Sequence, residues 1–324
     1  MTNTKATAVR KHRRSDRYTA TGKNRSWMLI RRNKALYLFI LPAFLYFFIF
    51  SYVPLYGAQI AFKDFVASKG FTGSPWADPI FKHFLTFFSS VNFWNILRNT
   101  LHLSLYYIAT SFPAAVILAL MINEVKNTKF KKAVQNITYM PYFISTVVLV
   151  GMIQLFFARS GLVNNIIGLF GVEPQLFLQK DALFDDLYVW SGVWQATGYN
   201  AVIFIAALAG VSPELHEAAT IDGATRLQRI LHVNIPAILP TIVVMLIMTL
   251  GGIMNLSFEK VLLMQTDGNL IVSEIVSTYV YKLGIQKAQF SLSTAVGLFN
   301  NAINLLLVVV MNKISRKISD TSLW

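Results

Sequence analysis

Six long apolar runs constrain the fold of this chain more than any other feature of its sequence. They cover residues 35–53, 100–123, 141–157, 187–210, 237–256 and 292–311, and the third is the shortest. A helix needs about 20 residues to cross the ~30 Å hydrocarbon core of a membrane. Because backbone amides in lipid must bond within their own segment, the runs are predicted to be helices. The ten-residue alternating segments of a membrane barrel are absent from the sequence. We predict an all-α polytopic membrane protein with six transmembrane helices.

The composition agrees with a membrane protein. Charged residues make up 14% of the chain and hydrophobic residues 55%, with a mean hydropathy of +0.51. Soluble domains carry about 25% charged residues. The sequence contains no cysteine, which excludes disulfides, thiol chemistry and cysteine-based metal sites.

The basic residues predict the orientation in the membrane. With six spans, both termini share a side with the 123–140 and 211–236 loops, and this side holds 20 of the 29 Lys and Arg residues. The opposite loops (54–98, 158–190 and 257–290) hold nine basic and nine acidic residues, so all of the net charge of +14 lies on one side. Basic loops remain in the cytoplasm, so we predict that both termini are cytoplasmic. We attribute the basic tail to contact with anionic lipid rather than nucleic acid.

The first apolar run is predicted to be a retained anchor. Its 19 residues exceed the apolar region of a signal peptide, and the sequence that follows offers no small-residue cleavage site. We therefore divide the chain into a basic tail (1–34), a six-helix membrane domain (35–312) and a second short tail (313–324).

No catalytic or metal-binding pattern is present. The five histidines are scattered without metal-ligand spacing, and there is no Gly-rich phosphate loop. His102 is interpreted as structural. Acidic residues are almost missing from the apolar runs, so the proton relay of an ion-driven pump is not evident. If the protein moves a solute uphill, the energy must come from a partner.

Two outer loops contain short apolar patterns at helical spacing. In the first, Phe81, Phe84, Leu85 and Phe88 predict one apolar face of a surface helix, followed by Phe93 and Trp94. In the second, a similar pattern predicts a short helix before the turn at Gly171. It consists of Leu162, Ile166, Ile167 and Phe170.

The polar 212–236 segment lies between two apolar runs and is predicted to sit at the membrane surface. Ser212 is a good N-cap and Pro213 suits the first helical position, so a short helix should run to about Ile221. Gly223 then permits a sharp bend. A second helix should stop before Pro236. The small residues Ala218 and Ala219 would let another protein approach, and Glu217 offers a charge to a basic residue of that partner.

The spacing of this segment resembles the EAA loop of permease subunits in binding-protein-dependent ABC importers. The family pattern is Glu-Ala-Ala, three residues, Gly, nine residues, Ile-x-Leu-Pro. The matching residues here are Glu217, Ala218, Ala219, Gly223, Val233, Ile235 and Pro236. Val233 replaces Ile and Ile235 replaces Leu, and both changes are conservative.

Further passages resemble the subfamily that carries complex oligosaccharides, over about residues 35–312. These passages are 52–57, 62–65, 99–101, 139–145 and 194–224. The resemblance implies a non-catalytic permease of a bacterial plasma membrane that binds no cofactor, while a partner ATPase uses ATP and Mg. The implied partners are a second permease, an ATPase dimer and an extracellular solute-binding protein that delivers an oligosaccharide. The residues that would contact the ATPase are Glu217, Ala218, Ala219, Asp222, Gly223 and Pro236.

Polar residues within the apolar runs are candidates for the substrate path. They are Gln154, Gln195, Tyr199, Asn200, Asn255, Asn300, Asn301 and Asn304. Amides in membrane helices also form bonds between helices, and the sequence leaves that alternative open for each of them. Gly251-Gly252 would allow either a kink or close helix packing. Two alternatives to the importer remain open at this point: an ion-driven secondary sugar transporter and a membrane scaffold that recruits a soluble partner.

Overall fold

A computed structural model describes residues 33–319, and this part of the chain is almost entirely helical. The longer helices are α1 (Lys34–Phe47), α5 (Phe93–Asn123), α6 (Thr128–Tyr139), α7 (Thr146–Phe156), α9 (Asp181–Ala209), α12 (Ile235–Gly251) and α16 (Phe290–Ser319). The shorter ones are α2 (Val53–Leu55), α3 (Gly70–Gly73), α4 (Lys82–Phe88), α8 (Leu162–Gly168), α10 (Pro213–Ile221), α11 (Arg226–Arg229), α13 (Phe258–Met264), α14 (Leu270–Ser273) and α15 (Val276–Tyr281). The described residues contain no strand, only an isolated bridge between Lys63 and Trp76.

Within the described residues, five helices are long and apolar enough to cross a membrane, and a bent pair makes a sixth candidate. The five are Lys34–Phe62, Phe93–Asn123, Asp181–Ala209, Arg226–Gly251 and Phe290–Ile314. Each overlaps one predicted run, so the all-α polytopic membrane fold is confirmed. The last helix continues to Ser319, which places the predicted boundary at 312 inside a helix.

The third apolar run is not one straight helix as predicted. Residues Thr128–Phe143 and Thr146–Phe156 form two helices that meet at an angle of 93°. Ile144 is extended, and the Ser145 hydroxyl accepts a hydrogen bond from the Val148 amide and so begins α7 as its N-cap. This N-cap starts a new helix in a new direction, which is why the run bends.

The described residues divide into two compact units, with the boundary between Gly57 and Ala58. In the first unit, α1 carries Pro42 and passes into a π-helical turn at Phe48–Tyr52. In the second unit, α5 and α9 pack side by side in parallel. This direction follows from their contacts, because His102 meets Asp185 near the start of both helices and Phe112 meets Phe204 further along.

Three apolar clusters hold the second unit together. One surrounds Phe184 and Tyr188 of α9, a second surrounds Phe204 of the same helix, and a third surrounds Phe87 of α4. The helix α9 therefore contributes to two of the three clusters. Its central position explains why residues on its sides line the cavity described below.

Both predicted surface helices are present as α4 and α8, and α4 also has a buried side that the sequence did not indicate. Phe87, which the predicted stripe did not include, is 1% exposed and packs against Phe93 and Phe299. Phe81 and Leu85 of the predicted stripe are exposed. The helix is only two turns long, so its orientation is set by the aromatic cluster and not by its own apolar pattern.

Candidate functional site

The short helix α10 forms for the reasons that the sequence indicates. The Ser212 side chain caps it by accepting a hydrogen bond from the Glu214 amide at 3.3 Å, and Pro213 occupies the first turn. Glu214 in that turn complements the positive end of the helix dipole. The helix ends at Ile221, as predicted.

A sharp bend follows at Gly223, whose φ of +76° belongs to the left-handed region that favours glycine. The chain then enters α11, which has a capping box. The Thr225 hydroxyl accepts a hydrogen bond from the Gln228 amide, and the Gln228 side chain accepts one from the Thr225 amide. The predicted helix–bend–helix shape is confirmed.

The prediction that the second helix stops before Pro236 is wrong. The helical path continues from Arg226 to Gly251 as one candidate span. Proline lacks an N–H and its ring collides with a carbonyl of the preceding α-helical turn. Here a π-helical turn at Ile230–Asn234 widens the helix first, so that Pro236 falls in the first turn of α12, where its missing N–H costs nothing.

The segment presents its matched residues outward. Glu217, Ala218, Asp222, Gly223 and Pro236 are exposed, and Ala219 is half-buried. Glu217 has no ion pair with any residue that the structure describes. A cleft of about 280 Å³ opens between α10 and the following helix, lined in part by Ala219, Asp222 and Gly223. The segment therefore presents the small apolar side chain of Ala218 beside the unpaired carboxylate of Glu217.

A larger cavity of about 540 Å³ lies between α5, α9 and α12, and we call it the central cavity. Its lining contains the two predicted path residues Tyr199 and Asn200. The ring of Tyr142 stacks on that of Tyr199 with centroids 3.8 Å apart, and this contact holds the Tyr199 ring in place. The sequence analysis did not identify three further polar lining residues, because a single hydroxyl in an apolar run carries no distinctive signal. These are Tyr107, Ser111 and Thr249.

Three other path candidates use their amides to connect helices. Gln154 donates to the Leu263 carbonyl at 3.1 Å, and Gln195 donates to the Ile144 carbonyl at 2.7 Å, at the bend of the third run. Asn304 accepts from the Met254 amide and donates to Asn255, both at 3.1 Å. These bonds match the structural alternative that the sequence left open.

Asn255 lies at a separate, smaller cavity of about 190 Å³ that shares Tyr107 and Thr249 with the central cavity. Its side-chain oxygen accepts from Asn300 and Asn304. Asn301 is exposed on α16. The predicted path residues therefore do not form one cluster, and two of them share the central cavity.

Lys260 is a buried cation that sequence reasoning missed. It lies on α13, between two candidate spans, and is 5% exposed. Its ammonium donates to the Tyr188 carbonyl at 2.8 Å and lies 4.6 Å from the centre of the Tyr188 ring. Burial lowers the pKa of Lys260 to about 7, because a charged ammonium is poorly solvated there. The sequence did not indicate that Lys260 is buried, because polar residues such as Ser257 and Glu259 stand close to it in the chain.

Acidic residues lie near the start of α9, although the predicted apolar runs contain almost none. The helix begins at Asp181, earlier than the predicted run, and so includes Asp185 and Asp186. Asp185 pairs with His102 at 3.0 Å, and Asp186 accepts from the Tyr106 hydroxyl at 2.6 Å. His102 thus has the structural contact expected of it. Within residues 33–319, no group of three or more His, Asp or Glu side chains could hold a metal ion.

Comparison with known proteins gives consistent matches over most of the chain. The model of the family described as "Binding-protein-dependent transport system inner membrane component" matches residues 111–320. Protein LplB of Bacillus subtilis (strain 168) is 40% identical over 305 residues, which cover 94% of this chain and 95% of LplB. The polygalacturonan/rhamnogalacturonan transport system permease protein YteP of the same strain is 41% identical over 294 residues, covering 90% of this chain and 91% of YteP.

A solved structure agrees with these matches. A chain in the crystal structure of a bacterial ABC transporter that imports the acidic polysaccharide alginate superposes with a TM-score of 0.84 and 38% identity. The match covers 91% of this chain and 99% of that chain. The family match over 111–320, the helix–bend–helix segment within it and the polytopic helical fold agree. The chain belongs to the family of inner-membrane components of binding-protein-dependent transport systems.

Proposed function

We propose that this chain is a permease subunit that moves oligosaccharides from an extracellular binding protein into the cytoplasm, with the 212–236 segment coupling it to an ATPase. Permease subunits of this family are non-catalytic, and ATP is hydrolysed by a separate subunit. The observation that carries the coupling role is α10 itself, which presents the unpaired Glu217 beside Ala218 on an exposed surface. A groove lined by a basic residue would receive both.

The proposed partners are those of the family. They are a second permease, a pair of ATPase domains that use ATP and Mg, and a solute-binding protein outside the membrane. A second solved structure supports the last of these, because it holds the alginate transporter in complex with a periplasmic protein that carries an alginate pentasaccharide. It matches this chain with a TM-score of 0.84 and 38% identity.

An oligosaccharide cargo is supported by the relatives and by the central cavity. The named cargo is polygalacturonan or rhamnogalacturonan for YteP, and the acidic polysaccharide alginate for the solved transporter. Sugars need hydrogen-bonding groups for their hydroxyls and aromatic faces for their rings. Asn200, Ser111 and Thr249 supply the first, and Tyr107 and Tyr199 supply the second.

The proposed mechanism follows from this arrangement. Closure of the ATPase pair on ATP pushes against α10, and the rigid helices of the membrane domain carry that displacement to the central cavity. The cavity then changes its access from the outer side to the inner side. The charge distribution supports a plasma-membrane location with both termini in the cytoplasm.

The test is the loss of coupling without loss of assembly. Glu217→Ala removes the carboxylate, and Gly223→Pro is incompatible with a φ of +76° because proline holds φ near −65°. We expect both variants to abolish ATP-driven uptake while the protein still inserts and pairs with its sister permease. Uptake and recovery of the ATPase by pull-down are measured on the same membranes.

Arg226→Lys is the matched control. Arg226 lies on α11 outside the matched pattern and is exposed, so uptake should stay close to that of the unchanged protein. Normal uptake by the Glu217→Ala and Gly223→Pro variants would remove the coupling role from this segment. Uptake driven by an ion gradient without ATP would instead favour a secondary transporter.

A further inference from the structure

A polar cluster connects the 212–236 segment to the inner end of α5. The Glu124 carboxylate, directly after the last residue of α5, lies 3.8 Å from a guanidinium nitrogen of Arg229. The other carboxylate oxygen of Glu124 accepts a hydrogen bond from the Asn234 side chain at 3.4 Å. One acidic side chain therefore meets two residues that are more than 100 positions away in the chain.

Arg229 extends the connection to α10. Its second terminal nitrogen donates to the Thr220 hydroxyl at 3.1 Å, and that hydroxyl donates to the His216 carbonyl at 2.7 Å. The guanidinium thus bridges the helix that carries Glu217 and the end of α5. Arginine suits this position because its planar group can donate to two partners in different directions.

The cluster is partly shielded from water. The side chains of Arg229 and Glu124 are 19% and 20% exposed, and Asn234 is fully buried. Charges that are partly removed from water interact more strongly, and loss of one partner leaves the other without compensation. Glu124 also stands at the negative end of the α5 dipole, where a carboxylate does not stabilise the helix. Its contacts with Arg229 and Asn234 are therefore the physical reason for a carboxylate here.

The helix that Glu124 terminates also lines the central cavity. Tyr107, Ser111 and Ala115 of α5 all contribute to the lining. The helix spans 31 residues and contains Pro113. Ala115 lies between Pro113 and Glu124, so a displacement at the inner end of the helix reaches the cavity wall there directly. Along the chain, α10 follows α9 and leads through α11 into α12. The helix α5 is not adjacent to α10 in sequence, so it is linked to α10 through this cluster and through packing.

We propose that Glu124 and Arg229 are a positioning pair that transmits the displacement of α10 to α5, and thereby to the wall of the central cavity. The inference rests on the proposed coupling function of the 212–236 segment. The pair acts through the helices it connects and does not contact the substrate. Without it, α10 still meets the ATPase, but its motion reaches α5 only through packing.

The experiment measures solute taken up per ATP hydrolysed, in proteoliposomes that contain the complete transporter. Glu124→Gln and Arg229→Gln each remove one charge and keep most of the volume. We expect each to retain the ATPase in the complex and to lower uptake per ATP by about tenfold, the scale of a partly buried pair broken from one side. The double exchange Glu124→Arg with Arg229→Glu should recover much of that loss. Arg226→Gln, one turn earlier and exposed, is the matched control and should leave the ratio unchanged.

Three outcomes would overturn the positioning role. They are an unchanged ratio in the single variants, loss of the ATPase from the complex in step with loss of uptake, and a double exchange no better than the single variants. Comparison with Glu217→Ala and Gly223→Pro separates this inference from the function on which it rests. If those two variants abolish uptake and Arg229→Gln leaves uptake per ATP unchanged, coupling through the segment stands and the pair is refuted. If all of them transport normally, the coupling function itself fails.

Discussion

At the scale of single residues, glycines set the distance between helices of the second unit. A Cβ on Gly198 of α9 would lie 2.0 Å from the Thr138 carbonyl oxygen, and one on Gly251 would lie 2.4 Å from a methyl group of Val308. Separations this short do not occur between real atoms. At Gly198 the obstacle is backbone, so the two backbones could not keep their present distance, whereas at Gly251 the Val308 side chain would have to move. Of the two possibilities that the sequence left open for Gly251-Gly252, close packing against α16 applies to Gly251, and α12 also ends there.

Gly198→Ala should destabilise the protein, because the obstacle is backbone and cannot rotate away. Overpacking of this kind lowers the free energy of unfolding by about 1–3 kcal/mol. Gly151→Ala on α7 is the matched control, since a Cβ there meets nothing within 4 Å. A helical Gly→Ala change without a clash stabilises by about 0.5–1 kcal/mol. The midpoints of thermal unfolding of the two purified variants should therefore move in opposite directions, and equal midpoints would contradict the packing argument.

At the scale of elements, α4 shows how a short helix takes its orientation from its surroundings. Phe87 packs against Phe93, Tyr279 and Phe299, so it belongs to the core of the second unit. Deletion of residues 81–88 would remove that core contact together with the exposed surface. Point substitutions separate the two roles.

Phe87→Ala should reduce the stability by about 3–5 kcal/mol, the usual cost of a buried Phe→Ala change. Leu85→Ser on the exposed side should leave the unfolding midpoint unchanged. We expect it to weaken uptake that depends on the binding protein, as a contact surface for that protein would. The measurements are thermal unfolding and uptake at several binding-protein concentrations. Equal uptake by Leu85→Ser and the unchanged protein would exclude this part of α4 from docking.

At the scale of the whole molecule, the topology depends on the charge distribution. The spans and the loops between them agree with six crossings if the bent pair counts as one. The predicted orientation of the termini rests on the distribution of basic residues alone. Both terminal tails contain positions outside the described residues 33–319, so the test uses positions on the loops as well.

Because the chain has no cysteine, single cysteines can report on each side of the membrane. An impermeant thiol reagent added to intact cells should label cysteines placed at Asp78 and Asp181, and should leave those at Lys126 and Asp222 unlabelled until the membrane is opened. All four positions are exposed. Positions 20 and 320 should behave like the second pair. Labelling of intact cells at either of them would overturn the predicted orientation.

The features that the sequence determined by itself are local. A run of about 20 apolar residues forms a helix in lipid whatever its neighbours are, and Ser212, Pro213 and Gly223 act on the backbone within a few residues. The matched spacing and the fold class could therefore be predicted. The sequence also predicted that Tyr199 and Asn200 lie within a span. It did not predict that both line the same cavity.

The remaining features depend on contacts between distant parts of the chain, which only the tertiary structure decided. Gln195 donates to the Ile144 carbonyl where the third run turns by 93°, and the π-helical turn before Pro236 keeps one helix where the sequence suggests two. Arg229 meets Glu124 because α5 ends beside the 212–236 segment. The physical reason is the same in each case: a backbone break, a wider turn or a partly buried charge persists only when a partner from elsewhere in the fold offsets its cost.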